Sequence, residues 1–241
     1  LAERDGRDEI TQRDLTVAVD RVVLDTDAAK RLLSRDDKER LAFHEAGHAL
    51  VSHLLPGAPT IERVTILDAG AAGATLSPDA EPDHVLSRAE MVDGVVALLA
   101  GRCAEIHIFG DSSTTAERDI ARATDLARAM ITRFGMDDHV GPIRVVDGGH
   151  DPDLVERRVV ELLARAERDA LEILATYSTT VQHLALALLV HETIDRRAFR
   201  SIVGDLPHWG PTIDLRTMAG EDGHGSAGPD RIDRSPSRFS P

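Results

Sequence analysis

A short segment in the N-terminal part of the chain carries residue types that can hold a metal ion. His44-Glu45-Ala46-Gly47-His48 places two histidines four positions apart, with a glutamate directly after the first. Residues four apart share one face of an α-helix, so both imidazoles can reach the same ion. Zinc lowers the pKa of a bound water to about 7, and Glu45 can take its proton. The pattern predicts a zinc site with Glu45 as the catalytic base of a hydrolysis.

A catalytic zinc site needs a third protein ligand and one open position. The chain offers several acids and histidines downstream: His53, His84, Glu90, Glu105, His107, Asp111 and Asp119. His53 is disfavoured, because it lies five positions beyond His48 and therefore on a different helical face. Asp119 lies near the start of a predicted helix, where the helix dipole alone favours an acid. The residues by themselves leave the third ligand open.

Several predicted elements must position these groups. A polar cap at residues 34–37 starts a helix that runs to about residue 55, where Pro56-Gly57 stops it. Alternating β-branched residues predict a strand at 61–67 and a short return strand at 70–75. Ser87-x-x-Glu90 starts a helix that reaches about residue 109. Apolar periodicity and caps predict further helices at residues 11–24, 116–134, 151–176, 179–192 and 195–202.

Composition narrows the class of protein. With 42% hydrophobic and only 3% aromatic residues, the 241-residue chain favours packed helices, and we predict a mainly α fold. The formal net charge of −14 argues against nucleic acid as a partner, since phosphate binding needs clustered basic side chains. One cysteine, Cys103, allows no internal disulfide and is typical of a reducing compartment. The apolar runs are too short to span a bilayer, and residues beyond about 210 lack periodicity and predict a disordered tail.

Several collinear stretches together resemble the peptidase unit of the FtsH family of AAA+ proteases, over about residues 9–203. Residues 10–22 resemble the end of that family's ATPase lid. The other matching stretches are residues 42–51, 64–66, 104–105, 109–110, 119–130, 134–136, 141–142 and 188–193. The resemblance implies a mainly helical zinc-peptidase domain with a small β element beside the active site.

The resemblance also implies a ligand set. The family's third zinc ligand is the aspartate of a T-T-G-A-x-N-D motif, and the matching stretch here, residues 113–119, reads S-T-T-A-E-R-D. Asp119 thus matches the ligand beside His44 and His48, with Glu45 as the base. Thr115 stands in place of the family glycine and Arg118 in place of the asparagine. We therefore expect the loop before the ligand to differ in shape.

By resemblance, the chain is a zinc-dependent endopeptidase domain that cleaves unfolded or damaged polypeptides and is coupled to an AAA+ ATPase in a homo-hexamer. The implied domains are a lid-like segment at 1–33, the peptidase at 34–205 and a disordered tail at 206–241. The strands at 62–67 and 73–76 are candidates to pair with an extended substrate. The chain contains no G-x-x-x-x-G-K-[ST] motif, so ATP hydrolysis requires another module.

Two other classes of function stay open at this point. One is a degenerate peptidase that acts as a scaffold or adaptor, and the other is a zinc amidohydrolase with a non-protein substrate, since water activation suits any amide. The chain begins at Leu1 rather than methionine, which suggests a fragment of a longer protein. We expect a cytoplasmic location, with tethering to the cytoplasmic membrane through segments outside this chain as an alternative.

Overall fold

The helix that carries the two histidines begins at a capping box. In the computed structural model, which describes residues 34–58, 61–67, 74–76, 85–145 and 151–210, helix α1 spans Arg35–Leu54. The backbone N–H of Asp37 donates to Ser34 Oγ, and the N–H of Ser34 donates to the Asp37 carboxylate. These bonds satisfy donors that a helix start leaves free, a contribution of about 1 kcal/mol. The helix predicted from residue 34 is confirmed.

The other predicted helices within the described residues are confirmed to within two residues. Helix α2 spans Arg88–Phe109, begins at a second capping box between Ser87 and Glu90, and ends at Gly110, whose φ of 78° is left-handed. After a short 3₁₀ turn at Thr114–Ala116, the helices are α3 Glu117–Thr132, α4 Pro152–Thr176, α5 Ser178–His191 and α6 Arg196–Val203.

A three-stranded antiparallel sheet accompanies the helices. Its strands are β1 Ile61–Thr65, β2 Ala74–Leu76 and β3 Thr193–Asp195, in the order β2-β1-β3. The sequence predicts β1 and β2 but misses β3, whose three residues are too few to show alternation. The substrate-pairing role predicted for residues 62–67 is wrong for β1, because both of its edges are occupied by neighbouring strands. The same role for residues 73–76 stays a prediction, since β2 is an outer strand.

The core forms around α1. This helix packs against α2 on one side and α5 on another, and α2 also contacts α3 and α4. Leu50, Val51 and Leu54 of α1 are fully buried in the single hydrophobic cluster that joins these helices. Each such side chain contributes about 1.5–3 kcal/mol of transfer free energy. The predicted mainly helical fold class is confirmed.

The predicted domain organisation includes a segment at each end of the chain. The helix predicted at 11–24 and nearly all of the tail predicted at 206–241 lie outside the described residues. At the last described residues, the backbone N–H of Trp209 donates to the carbonyl of Leu54, and its ring lies 6.1 Å from that of Tyr177. Leu206 and Trp209 are partly buried and pack against the core.

Length and apolar character decide whether a helix of the described residues could cross a bilayer. No single helix among them is both long enough and apolar enough to cross a bilayer. Helices α4 and α5 meet the length and composition criteria only as a pair, and they are bent by 83° at their junction.

Asp169 on α4 is a partly buried carboxylate whose Oδ2 has no hydrogen-bond partner within the described residues. Burial, reinforced by the charge of Glu172, raises the pKa of Asp169 to about 6 against the opposing effect of nearby arginines. The unfolded-state pKa is about 3.9, so between these values the folded state binds more protons. The contribution of Asp169 to stability is therefore lost as pH rises through about 6.

We therefore expect Asp169→Asn to raise the melting temperature at pH 7.5, where the wild-type carboxylate must stay charged, and to change it little at pH 4. Thermal unfolding followed by circular dichroism at both pH values measures this. Asp125→Asn, at an exposed position of α3, is the matched control and should leave the melting temperature unchanged at both pH values. An equal shift of the Asp169 variant at the two pH values would contradict the assignment.

Candidate metal centre

Three side-chain atoms from two helices converge at one point. His44 Nε2 and His48 Nε2 of α1 lie 3.1 Å apart, and each lies 3.2 Å from Asp119 Oδ2 of α3. Within the described residues, these three side chains are close enough together to hold one metal ion. Tetrahedral zinc with ligands at about 2.0–2.2 Å separates its ligand atoms by roughly 3.3–3.6 Å. The donor set and its spacing therefore fit zinc after a small adjustment.

The far nitrogen of each imidazole is held by a hydrogen bond. His44 Nδ1 lies 2.8 Å from Glu105 Oε1, and His48 Nδ1 lies 2.8 Å from the carbonyl oxygen of Ala97. A backbone carbonyl can only accept, so His48 Nδ1 carries a hydrogen and donates it, and an ionised Glu105 requires the same of His44. In the neutral imidazoles, both Nε2 lone pairs then face each other and the oxygen of Asp119. Only a cation or a bound proton stabilises such an arrangement.

The electrostatics of the cluster favour positive charge. Burial lowers the pKa of His44, but hydrogen bonds with Asp119 and Glu105 outweigh burial and raise that pKa to about 9. For Asp119, burial acts to raise the pKa, but hydrogen bonds with His44 and His48 outweigh burial and hold that pKa well below its usual range. A metal ion supplies the same positive charge and binds in competition with protons.

Glu105, fully buried on α2, ties the histidine helix to the loop that leads to Asp119. Its Oε1 holds His44, while its Oε2 accepts from the backbone N–H of Ser113 at 2.8 Å. The guanidinium of Arg40 lies 3.4 Å from the same Oε2. Burial raises the pKa of Glu105, but the bonds with His44 and Ser113 outweigh this and lower it. Glu105 therefore stays ionised and orients its histidine.

Arg40 is itself held in place by two further groups. Its Nη2 donates to Asp111 Oδ1 at 2.6 Å, and its guanidinium lies 4.8 Å from the centre of the Phe109 ring. Arg40 precedes His44 by one helical turn on α1, so it reaches Glu105 from the same face. The chain of contacts from Arg40 through Glu105 to His44 limits the freedom of the imidazole.

The loop before Asp119 keeps this residue directed at the imidazoles. Ser113 caps the 3₁₀ turn by accepting from the N–H of Thr115, and Asp119 follows in the first turn of α3. Thr115 and Arg118 are exposed. Across the described part of the chain, no hydrogen bond or ion pair joins Arg118 to Asp119. The two departures from the family motif thus leave the contacts of Asp119 with both histidines in place.

The other candidates for a third ligand lie in other contacts. The ring of His53 packs 5.4 Å from the phenylalanine ring of α6, and His107 contacts the hydroxyl of the first residue of α5. Glu90 belongs to the capping box of α2, and Asp111 pairs with Arg40. His84 lies outside the described residues. Glu105 contacts Nδ1 of His44, the ring nitrogen on the far side from the converging atoms, so it is not placed to bind the same ion.

Glu45 follows His44 on α1 and is only 6% exposed. It lies near enough to His44 for its negative charge to help raise the pKa of that imidazole. Its oxygens are not among the three converging atoms. The proton-transfer role predicted for Glu45 does not require metal contact.

Three residues of α2 contribute to the site in ways that the sequence did not predict. Ala97, Gly101 and Glu105 are spaced four apart, so they share one face, and this face meets the α1 face that carries residues 40, 44 and 48. Residue 48 meets 97 and residue 44 meets 105, so the two helices run antiparallel. The four-residue spacing around a glycine in mid-helix was the sequence feature that could have indicated this face.

Comparison with known proteins agrees with this geometry. A family model described as Peptidase family M41 matches residues 31–202. The chain is 34% identical over 240 residues to an ATP-dependent zinc metalloprotease FtsH of Methylibium petroleiphilum, covering 91% of this chain and 39% of that protein. It is 34% identical over 224 residues to the FtsH protease of Thermotoga maritima, covering 85% of this chain and 37% of that protein.

A third relative is ATP-dependent zinc metalloprotease FtsH 3 of Sphaerobacter thermophilus, 37% identical over 213 residues, with 86% of this chain and 43% of that protein covered. The chain thus spans well under half the length of these relatives. The family match covers most of the chain and includes every residue of the converging cluster. This chain therefore belongs to peptidase family M41.

Proposed function

We propose that this chain is a zinc-dependent endopeptidase domain that cleaves unfolded polypeptides. The observation that carries the proposal is the convergence of His44 Nε2, His48 Nε2 and Asp119 Oδ2 within 3.2 Å of one another. Two imidazoles and a carboxylate match the three-ligand sets of catalytic zinc sites, which keep a further position open. The names of the relatives, zinc metalloproteases, support the choice of zinc.

In this proposal, His44, His48 and Asp119 hold the ion, and Glu105 and the Ala97 carbonyl hold the two imidazoles. When bound, zinc polarises the scissile carbonyl and lowers the pKa of a water molecule to about 7. The Glu45 carboxylate accepts a proton from the attacking water and delivers it to the leaving amide nitrogen.

The larger assembly is also part of the proposal. We place a lid-like segment at residues 1–33, the peptidase at 34–205 and a tail at 206–241, whose first residues pack against the peptidase core. The family match to residues 31–202 supports the limits of the peptidase. The relatives are named ATP-dependent, which supports coupling to an AAA+ ATPase that feeds unfolded or damaged proteins to this domain. A homo-hexamer in the cytoplasm, tethered to the membrane by other segments, fits this arrangement.

The ligand set is tested by comparing two acids. Asp119→Asn removes an anionic ligand, and we expect its zinc affinity to fall by more than about 100-fold, beyond the usual loss for residues that only orient ligands. Glu105→Gln keeps an oxygen that can accept from His44, so we expect a loss of about tenfold, at the lower end of the range for residues that orient ligands. Competitive titration with a chromophoric chelator measures both. Loss of zinc in Glu105→Gln with retention in Asp119→Asn would overturn the assignment.

The catalytic base is tested by separating metal binding from turnover. Glu45→Gln should retain wild-type zinc content, while cleavage of casein falls by about 10²–10⁴-fold because the proton acceptor is lost. Glu39→Gln removes an exposed acid of the same helix and is the matched control. Near-normal cleavage by the zinc-loaded Glu45 variant would refute the role.

The substrate class is tested with the zinc-loaded chain and two kinds of protein. We expect degradation of unfolded casein and no degradation of a stable folded protein, with or without ATP, because the chain has no phosphate-binding loop to power unfolding. Gel electrophoresis of timed digests provides the readout. Digestion of the stable folded protein by this chain alone would contradict the proposal.

A further inference from the structure

We infer that Gly101 of α2 is a metal-positioning residue, because its missing side chain leaves the room in which the two imidazoles can share an ion. The inference rests on the metal site proposed above. It assigns to α2 a direct part in the geometry of the centre, although that helix supplies no ligand.

The space beside Gly101 is occupied by the ligand atoms themselves. A Cβ atom built on Gly101 would lie 2.4 Å from His48 Nε2 and 2.5 Å from His44 Nε2. The third nearest atom, at 2.6 Å, is Cε1 of the His44 ring. All three distances are far inside the roughly 3.5–4.0 Å of van der Waals contact. A zinc ion needs both nitrogens at about 2.0–2.1 Å, so a methyl group here would crowd the ion or push the rings apart.

Two other glycines of the same helix pair show that this environment is particular to Gly101. A Cβ on Gly94, also in α2, would meet only the end of the Leu126 side chain, at 3.4 Å. A Cβ on Gly47 of α1 would lie 2.6 Å from the Cβ of Ala104 and 2.7 Å from the backbone carbonyl oxygen of Ala100. The absence of a side chain at Gly47 thus allows the two helices to pack closely, whereas at Gly94 it relieves no close contact. At Gly101 it leaves room for the two imidazole nitrogens.

The nature of the obstruction predicts what a side chain at Gly101 would disturb. The imidazoles are the ends of side chains and can rotate away, whereas the backbone opposite Gly47 can move only if the helices separate. Alanine also favours a helix more than glycine does. Rotation of the rings would break their bonds to Glu105 and to the Ala97 carbonyl and would separate the nitrogens. A methyl group at position 101 should therefore remove the metal site and leave the helices in place.

The test uses the full chain, zinc ion alone as the probe, and three variants. For Gly101→Ala we expect wild-type helicity and, without zinc, a smaller drop in melting temperature than Gly47→Ala shows, because only the bonds of the imidazoles are lost while the helices stay packed. Zinc affinity, from chelator competition, should fall by at least about 100-fold, above the usual range for positioning residues. The rise in melting temperature on adding zinc should be much smaller than in the wild type. Gly94→Ala should keep wild-type zinc affinity, and Gly47→Ala should melt at a lower temperature even without zinc.

Two results would overturn the inference while leaving the metal site intact. One is wild-type zinc affinity in Gly101→Ala. The other is a drop in its zinc-free melting temperature as large as that of Gly47→Ala, which would make Gly101 a packing residue only. Failure of the wild-type chain to bind zinc would be a different result, since it would overturn the metal site itself and the inference with it.

Discussion

The antiparallel contact between α1 and α2 is the constraint on which the rest of the structure depends. One face of α1, with residues spaced four apart, presents Arg40, His44 and His48 to a face of α2 with the same spacing. The backbones can approach closely because Gly47 faces the carbonyl of Ala100 without a side chain between them. This closeness lets a backbone carbonyl and a buried acid of α2 hold the far nitrogens of both imidazoles. The Nε2 atoms of both imidazoles therefore point at one position.

Charge balance explains why so many ionisable groups can be buried here. Unpaired buried charges cost several kcal/mol each, so they persist only when other charges compensate them. Glu45 and Glu105 are almost completely buried, and Asp119 is mostly so. A divalent ion held by His44, His48 and Asp119 would, together with Arg40, balance these three carboxylates. Glu105 also joins α1 to the loop before Asp119, so one side chain helps to position both His44 and Asp119.

Local patterns predict much of this molecule, and distant contacts account for what they miss. Capping boxes and apolar periodicity are local, so the helices of the described residues were predicted to within two residues. His44 and His48 belong to one helix turn, which makes their pairing predictable from spacing alone. Asp119 lies 71 residues beyond His48, and its position depends on how α3 packs, so the residues alone left several acids and histidines as candidates. Strand β3 and the clearance at Gly101 likewise depend on tertiary packing.

The most direct test of the central claim is a crystal structure of the zinc-loaded chain, with diffraction measured on both sides of the zinc absorption edge. The account predicts one anomalous peak per chain, at about 2.0–2.2 Å from His44 Nε2, His48 Nε2 and a carboxylate oxygen of Asp119. Glu105 should remain on the Nδ1 side of His44. A zinc peak ligated by Glu105 instead of Asp119, or no peak between the two histidines, would contradict it.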